Sequence, residues 1–405
     1  MLLQAENKPK RILIVGASVL QLPAILKAKE MGYYVGVADY NPKAIGITYA
    51  DEYFNVSTID IDGITDVAER FHPDGIMTLA TDMPMRAIAA ASQACGLPGI
   101  SYETAIKATD KAEMIKAFEE CGVEHPWYYV ARGRNEFEEI LGSISFPCIM
   151  KPTDNAGSRG VVLANTVQEL KAAYEYSHGE SRGGAIIIEE YLKGPEFSVE
   201  VMVVNGEPHI LQITDKLTTG APHFVEMGHS QPTRQPEDVQ EKLTDLTRRA
   251  CKAVGINVGP AHVEIILTKD GPKMVELGAR MGGDCITTHL VPLSTGIDMV
   301  KATIDVACGK VPDIEHTINS ASAIRYFKTP TGLLKGVYGI DNAKRILGVQ
   351  EVTIVKEIGA DVTDINSSVD RIGFVIAQAD TAENAVKICE DALKEIKIVV
   401  DPITL

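Results

Sequence analysis

The stretch Met274–Asp284, MVELGARMGGD, decides how this chain is read. Met274 and Val275 read as the end of a buried strand. Glu276 follows at once, and then come Gly278, Arg280, Gly282, Gly283 and Asp284. A carboxylate at the end of an apolar run is costly to desolvate unless something pairs with it. Just upstream, ILTKDGPKMVE (266–276) reads as a hairpin that turns at Asp270–Gly271. That hairpin sets Glu276 beside Glu264 of the preceding strand, AHVEIIL (261–267). Two carboxylates on one hairpin face raise each other's pKa unless a cation sits between them. Mg²⁺ (or Mn²⁺) suits such a pair, because it takes hard oxygens and keeps contacts to phosphate and water. The plainer alternative is a pair of acids on a solvated strand face.

Upstream lie elements that suit a polyphosphate. IMKPTDNAGSRGV (149–161) puts Lys151 at a strand end, before a loop with Gly157, Ser158 and Gly160. Glycines let backbone N–H groups close on an anion, and a lysine adds a fixed charge. No GK[ST] precedes a helix, so this is not a P-loop, and an ordinary turn remains open. Lys111 stands near a predicted helix start, where anions are favoured, or it is a solvated helix lysine. IIIEEYLKGPEF (186–197) ends a strand in Glu189, Glu190, Tyr191 and Leu192 before a Gly-Pro turn and Glu196. Its backbone could pair with the edge of a flat base, and Glu196 could accept from ribose hydroxyls.

The first hundred residues alternate strand and helix patterns, which predicts a parallel sheet with helical crossovers. VGASVLQLPA has one glycine where a dinucleotide site needs three, which excludes NAD binding. Asp39 and Asp82 stand at strand ends, where ligands of such sheets gather. TAIKATDKAEMIKAFEECG (104–122) reads as one long helix. Short strands follow to Glu276, interrupted by a helix over 237–255. The C-terminal region begins at SASAIRYF, contains two strand-like pieces and ends in a helix.

A net charge of −16 argues against a nucleic-acid surface. No run reaches the ~18 apolar residues that span a membrane, and the N-terminus is not a secretory signal. The 7 cysteines are scattered and form no CxxC pair. They fit small buried residues in a reducing cytosol, so a cytoplasmic location is expected. Cys285, beside Asp284, is the one near the motif.

Taken together, the order of these elements resembles the ATP-grasp superfamily over essentially the whole chain. The resemblance implies an α/β and α+β architecture. Its parts are a Rossmann-like preceding domain (1–103), an ATP-grasp domain of two α+β subdomains (104–314, lid about 122–190) and a small C-terminal α+β domain (315–405). It implies ATP and Mg²⁺ as cofactors. Lys111, Lys151 and the loop of Gly157, Ser158 and Gly160 would meet the phosphates. Glu189, Glu190, Tyr191 and Leu192 would hold adenine, Glu196 the ribose, and Glu264 and Glu276 the metal. Many members carry asparagine where this chain has Gly278.

FVEMGH (224–229) with RMGG (280–283) is similar to the L-amino-acid ligase group, whose architecture is biotin-carboxylase-like. That implies Glu226 on an amino group, Arg280 on the phosphorylated carboxyl group, and Gly282 and Gly283 shaping the pocket, with His229 nearby. From the residues alone, 218–233 reads as a loop, which leaves open a zinc site of His223, Glu226 and His229 or a structural role. Arg371 in SSVDRIGFVIA reaches for the substrate cleft or pairs with Asp370 or another neighbour. The expected activity is ATP-dependent carboxylate–amine ligation, with Arg280, Lys151, Glu226 and His229 as catalytic candidates and small-molecule partners. A homodimer is common among such enzymes. The alternatives are a purine-pathway enzyme such as phosphoribosylamine–glycine ligase, a carbamoyl-phosphate-synthase-like carboxylating enzyme, and a non-catalytic nucleotide-binding module.

Overall fold

The computed structural model describes residues 9–155, 157 and 159–401. The first sheet is parallel, with strands in the order Glu52–Phe54, Tyr34–Ala38, Arg11–Val15, Gly75–Met77. Ile12 to Val15 are wholly buried, as a strand covered by helices on both faces requires. Helices Leu22–Glu30 and Ile61–Phe71 make crossovers, and Met85–Ala94 follows the last strand. Asp60 caps the second of them by accepting from Gly63 N at 3.0 Å.

The predicted single helix after this sheet is two helices, Tyr102–Thr109 and Lys111–Glu120. Asp110 separates them in an extended conformation. Its carboxylate accepts from Ala112 N at 2.9 Å and Glu113 N at 3.3 Å. The helical period continues across the break, so periodicity alone could not reveal a cap. The break matters, because it makes Lys111 the first residue of its helix.

An antiparallel lid sheet follows, in the order Tyr128–Ala131, Ile186–Glu190, Cys148–Pro152, Val162–Ala164. Behind it comes an eight-stranded antiparallel sheet. Its order is Gly271–Gly278, Gly259–Thr268, Glu196–Val204, Glu207–Thr218, Glu226–Gln231, Ala321–Tyr326, Gly373–Ala379, Val349–Ile354. The predicted loop at 218–233 is therefore a strand from Glu226 to Gln231. Its residues Met227 to Gln231 are buried, polar ones included, because they lie mid-sheet. Glycine, histidine, serine and glutamine hide strand propensity there.

The C-terminal region is richer in strands than its sequence suggests. Three of its strands extend the large sheet. Asp361–Val362, Gly332–Tyr338 and Lys397–Asp401 form a small sheet of their own, so a strand and not a helix comes last. Among the described residues no helix is long and apolar enough to cross a membrane.

Candidate active site

A cavity of about 350 Å³ opens between the lid sheet and the eight-stranded sheet. Lys111, at its helix start, points Nζ to Asn155 O at 2.9 Å and to Glu276 at 3.0 Å. Its backbone N–H donates to Thr153 O at 2.8 Å, tying that helix start to the loop after Lys151. Lys151 is buried on its strand and pairs with Glu189 of the neighbouring strand at 2.7 Å. Glu189 presents its carboxylate to that lysine, and Glu189, Glu190, Tyr191 and Leu192 all line the cavity. Glu190 is held by Lys273 at 2.7 Å. Tyr191 faces Phe224 with ring centroids 6.0 Å apart.

Gly157 and Gly160 both adopt the left-handed conformation, at φ +70° and +75°. Gly157 has open space where a side chain would be and lines the cavity. Gly160 lies behind, where a Cβ would strike Pro152 at 2.7 Å. Ser158 lies outside the described residues.

Glu264 and Glu276 are direct cross-strand partners, with a register shift immediately after Glu264. Each carboxylate is held by a lysine. Lys216 Nζ sits 2.5 Å from Glu196, 3.0 Å from Glu264 and 3.7 Å from Glu226, with a side chain only 3% exposed. Sequence reasoning missed Lys216, although strand alternation places it on the same face as Thr214. His262 was missed as well. It lies two residues before Glu264 on one face and bridges Glu200 at 2.6 Å and Glu264 at 3.3 Å.

Charge and burial compete throughout this cluster. Burial resists ionisation of Glu264, but the Lys216 ammonium and the His262 contact outweigh it and hold the carboxyl well below its ordinary range. Burial also opposes protonation of His262, yet the Glu200 carboxylate raises it to about 9. Burial and the neighbouring acids raise Glu196, against the pull of Lys216. No group of three or more His, Cys, Asp or Glu side chains among the described residues could hold a metal. Two facing carboxylates still fit a Mg²⁺ ion whose remaining ligands are phosphate oxygens and water.

On the cavity wall, Arg280 donates from Nε and Nη2 to the two oxygens of Asp82, at 2.9 and 2.8 Å. Glu226 stands on the wall, where Ser368 Oγ donates to it at 3.4 Å. His229 is buried, with Nε2 3.3 Å from Asp284. His223 is exposed in the loop before the strand, so the three candidate zinc ligands are not brought together.

Arg371 does not reach the cavity wall. It donates to both oxygens of Asp284, at 2.8 and 2.7 Å, and stacks 3.8 Å over Tyr326. It also donates to Ser368 O at 2.9 Å and Glu226 O at 3.1 Å. Its partner is thus Asp284; Asp370 instead accepts from Ser367 in a local cap. Burial favours a protonated Asp284, but the Arg371 hydrogen bonds and His229 hold its carboxyl well below the usual range.

The glycines of this segment differ in purpose. A Cβ on Gly282 would stand 2.6 Å from His262 Nδ1, so Gly282 makes room for the histidine. Gly283 has nothing closer than Ala80 Cβ at 4.0 Å and leaves the cavity open. A Cβ on Gly278 would meet Asp82 Oδ1 at 2.6 Å and Arg280 Cζ at 3.0 Å. The position where asparagine is commoner is therefore covered by an ion pair. Ala80, Phe224 and Asp284, all on the wall, hold positive φ of 60°, 51° and 52°. Such strain collects at sites that bind or react.

Two parts of the chain match known families. Residues 144–288 match the ATP-grasp domain, and residues 325–401 match the L-amino acid ligase C-terminal domain 2. Alanine–anticapsin ligase of Bacillus subtilis is 26% identical over 332 residues, covering 76% of this chain and 69% of that protein. Phosphoribosylamine–glycine ligase of Methanocaldococcus jannaschii is 26% identical over 440 residues, covering 96% and 94%. The crystal structure of L-amino acid ligase from Bacillus licheniformis superposes with a TM-score of 0.82, with 22% identity over 97% of this chain and 99% of that one.

Proposed function

We propose that this chain, which belongs to the ATP-grasp superfamily and carries an L-amino acid ligase C-terminal domain, joins the carboxyl group of an amino acid to an amine at the expense of ATP. It is a carbon–nitrogen-bond-forming ligase of the carboxylate–amine type. The observation that supports the finer reading is that one cavity is lined by Lys111, Lys151, the paired Glu264 and Glu276, Arg280 and Glu226 together.

A carboxylate is a poor acyl donor, because oxide would have to leave. Phosphorylation by ATP supplies a leaving group, an amine attacks the carbonyl, and phosphate departs. Glu189 to Leu192 would hold adenine and Glu196 the ribose. Lys111, Lys151 and the backbone around Gly157 would hold the phosphates. Mg²⁺ held by Glu264 and Glu276 would neutralise phosphate charge. These groups position and neutralise, which supplies most of the rate in phosphoryl transfer. Arg280 would steady the phosphorylated carboxyl group, and Glu226 would hold the ammonium group of the amino acid. Arg371 acts through Asp284 and not on substrate.

The alternative, a phosphoribosylamine–glycine ligase, is favoured by a relative that spans nearly the whole chain. A phosphoribosyl group would need cations free for its phosphate. Arg371, held on both Nη atoms by Asp284, is not free for one, which supports the amino-acid reading. The test is ADP and phosphate release over a panel of amino acids, alone and in pairs, and over phosphoribosylamine with glycine. Amino-acid pairs should give turnover. Silence there with turnover on phosphoribosylamine would reverse the choice. Separately, Glu276→Gln should abolish turnover at low Mg²⁺; survival would remove the metal assignment.

A further inference from the structure

We propose that Asp82 is a positioning residue for Arg280: it grips one edge of the guanidinium so that the outer end, between Nη1 and Nη2, offers two parallel N–H groups to the phosphorylated carboxyl group. This rests on the role given to Arg280 above.

A guanidinium carries five N–H donors in a fixed plane. Asp82 takes two, Nε–H and the adjacent Nη2–H, at 2.9 and 2.8 Å. A third goes from Nη1 to Met281 O at 3.2 Å, back toward the main chain. The two that remain lie side by side at the end of the fork, one on each Nη. That is the pattern which meets a phosphoryl or carboxylate group with two oxygens at once. Both Asp82 and Arg280 line the cavity.

The pair is built in from three sides. Gly278 forms its floor, since any Cβ there would collide with Asp82 Oδ1 and Arg280 Cζ. Asp82 sits in the turn between the strand Gly75–Met77 and the helix Met85–Ala94, where Met85 N donates to its carbonyl at 3.1 Å. Ala80, two residues earlier, holds φ +60°. Arg280 follows the strand Gly271–Gly278 at the edge of the large sheet, so the contact joins the N-terminal parallel-sheet region to the large sheet. A rigid arginine loses less freedom on meeting its ligand than one that must first be ordered. Asp82 also offsets the guanidinium charge, so what the site offers an anion is direction more than bulk charge.

The opposite reading is that Asp82 competes with the substrate for Arg280. MgADP binding with and without aluminium fluoride, a stand-in for the phosphoryl group in transfer, separates the two. The variants are Asp82→Ala, Asp82→Asn, Arg280→Ala and the Asp82→Ala/Arg280→Ala double variant. Aluminium fluoride should tighten MgADP on the wild type. Asp82→Ala and Arg280→Ala should each lose at least about tenfold of that tightening, with MgADP alone changed by less than about twofold, which also reports an intact fold. Asp82→Asn, keeping one acceptor, should fall between. The double variant should be no worse than Arg280→Ala, because Asp82 works only through that arginine.

Unchanged or stronger tightening in Asp82→Ala overturns the proposal. So does a double variant that loses both factors, and so does loss of MgADP binding itself in Asp82→Ala. No tightening in the wild type, or tightening that survives Arg280→Ala, removes the role of Arg280 and this proposal with it.

Discussion

Lys216→Met should destabilise the protein severely, and Mg²⁺ should restore part of the loss. The lysine is 3% exposed and its ammonium stands 2.5, 3.0 and 3.7 Å from Glu196, Glu264 and Glu226. A unit pair at about 4 Å interacts by about 4 kcal/mol at an effective dielectric constant near 20, before desolvation is counted. Removing one partner of a buried pair costs about 3–5 kcal/mol, because the other charge is left buried and unpaired. Methionine keeps the length and the apolar stem, so packing is little changed. The expected loss is therefore about 3–5 kcal/mol. Lys216→Arg should lose much less.

A cation bound at Glu264 would offset part of the repulsion among the acids, so added Mg²⁺ should stabilise the methionine variant more than the wild type. The assay is guanidinium unfolding followed by far-UV circular dichroism, with and without MgCl₂. A loss under about 1 kcal/mol, the value of a surface pair, would show that the cluster is not held together by this ammonium. Equal Mg²⁺ effects on both proteins would detach the lysine from the metal site.

Three further predictions follow the same logic. Gly278→Asn introduces the residue commoner at that position and should cost about 1–3 kcal/mol by overpacking against Asp82 and Arg280; neutral or improved unfolding midpoints would contradict the geometry. Asp284 has a folded-state carboxyl held below its ordinary value, so it stabilises above the unfolded pKa near 3.9 and that share fades as pH falls toward the folded value. The stability gap between wild type and Asp284→Asn should thus be flat above about pH 5 and close below about pH 4; a gap that widens in acid would reverse the sign. The Cys285 thiol is pushed up to about 12 by burial and then by Asp284 and Glu351, so iodoacetamide at pH 8 should modify exposed Cys121 well before Cys285, as peptide mass spectrometry would report.

Much of the nucleotide end was legible because it is local. Lys151 and its glycine loop lie within a dozen residues, and Glu264 and Glu276 are joined by one hairpin turn. Strand alternation then decides which side chains share a face. The substrate end was less legible. Glu226 and His229 were named, but in a loop, because a strand of glycine, histidine, serine and glutamine shows no apolar alternation. Lys216, His262 and Glu200 were passed over because a charged residue in a strand reads as solvent-facing until the sheet around it is known.

The sequence by itself determined three of the four strands of the N-terminal sheet, all but the edge strand Glu52–Phe54, and the hairpin of Glu264 and Glu276, and that a carboxylate at Glu276 needed a cation. Only the tertiary structure decided which cation. Lys111 reaches Glu276, Lys216 gathers three acids and Asp82 takes Arg280, across separations of up to 198 residues. The reason is that apolar periodicity is fixed within one element. A buried charge is settled by whichever opposite charge the packing of distant elements brings within hydrogen-bond reach.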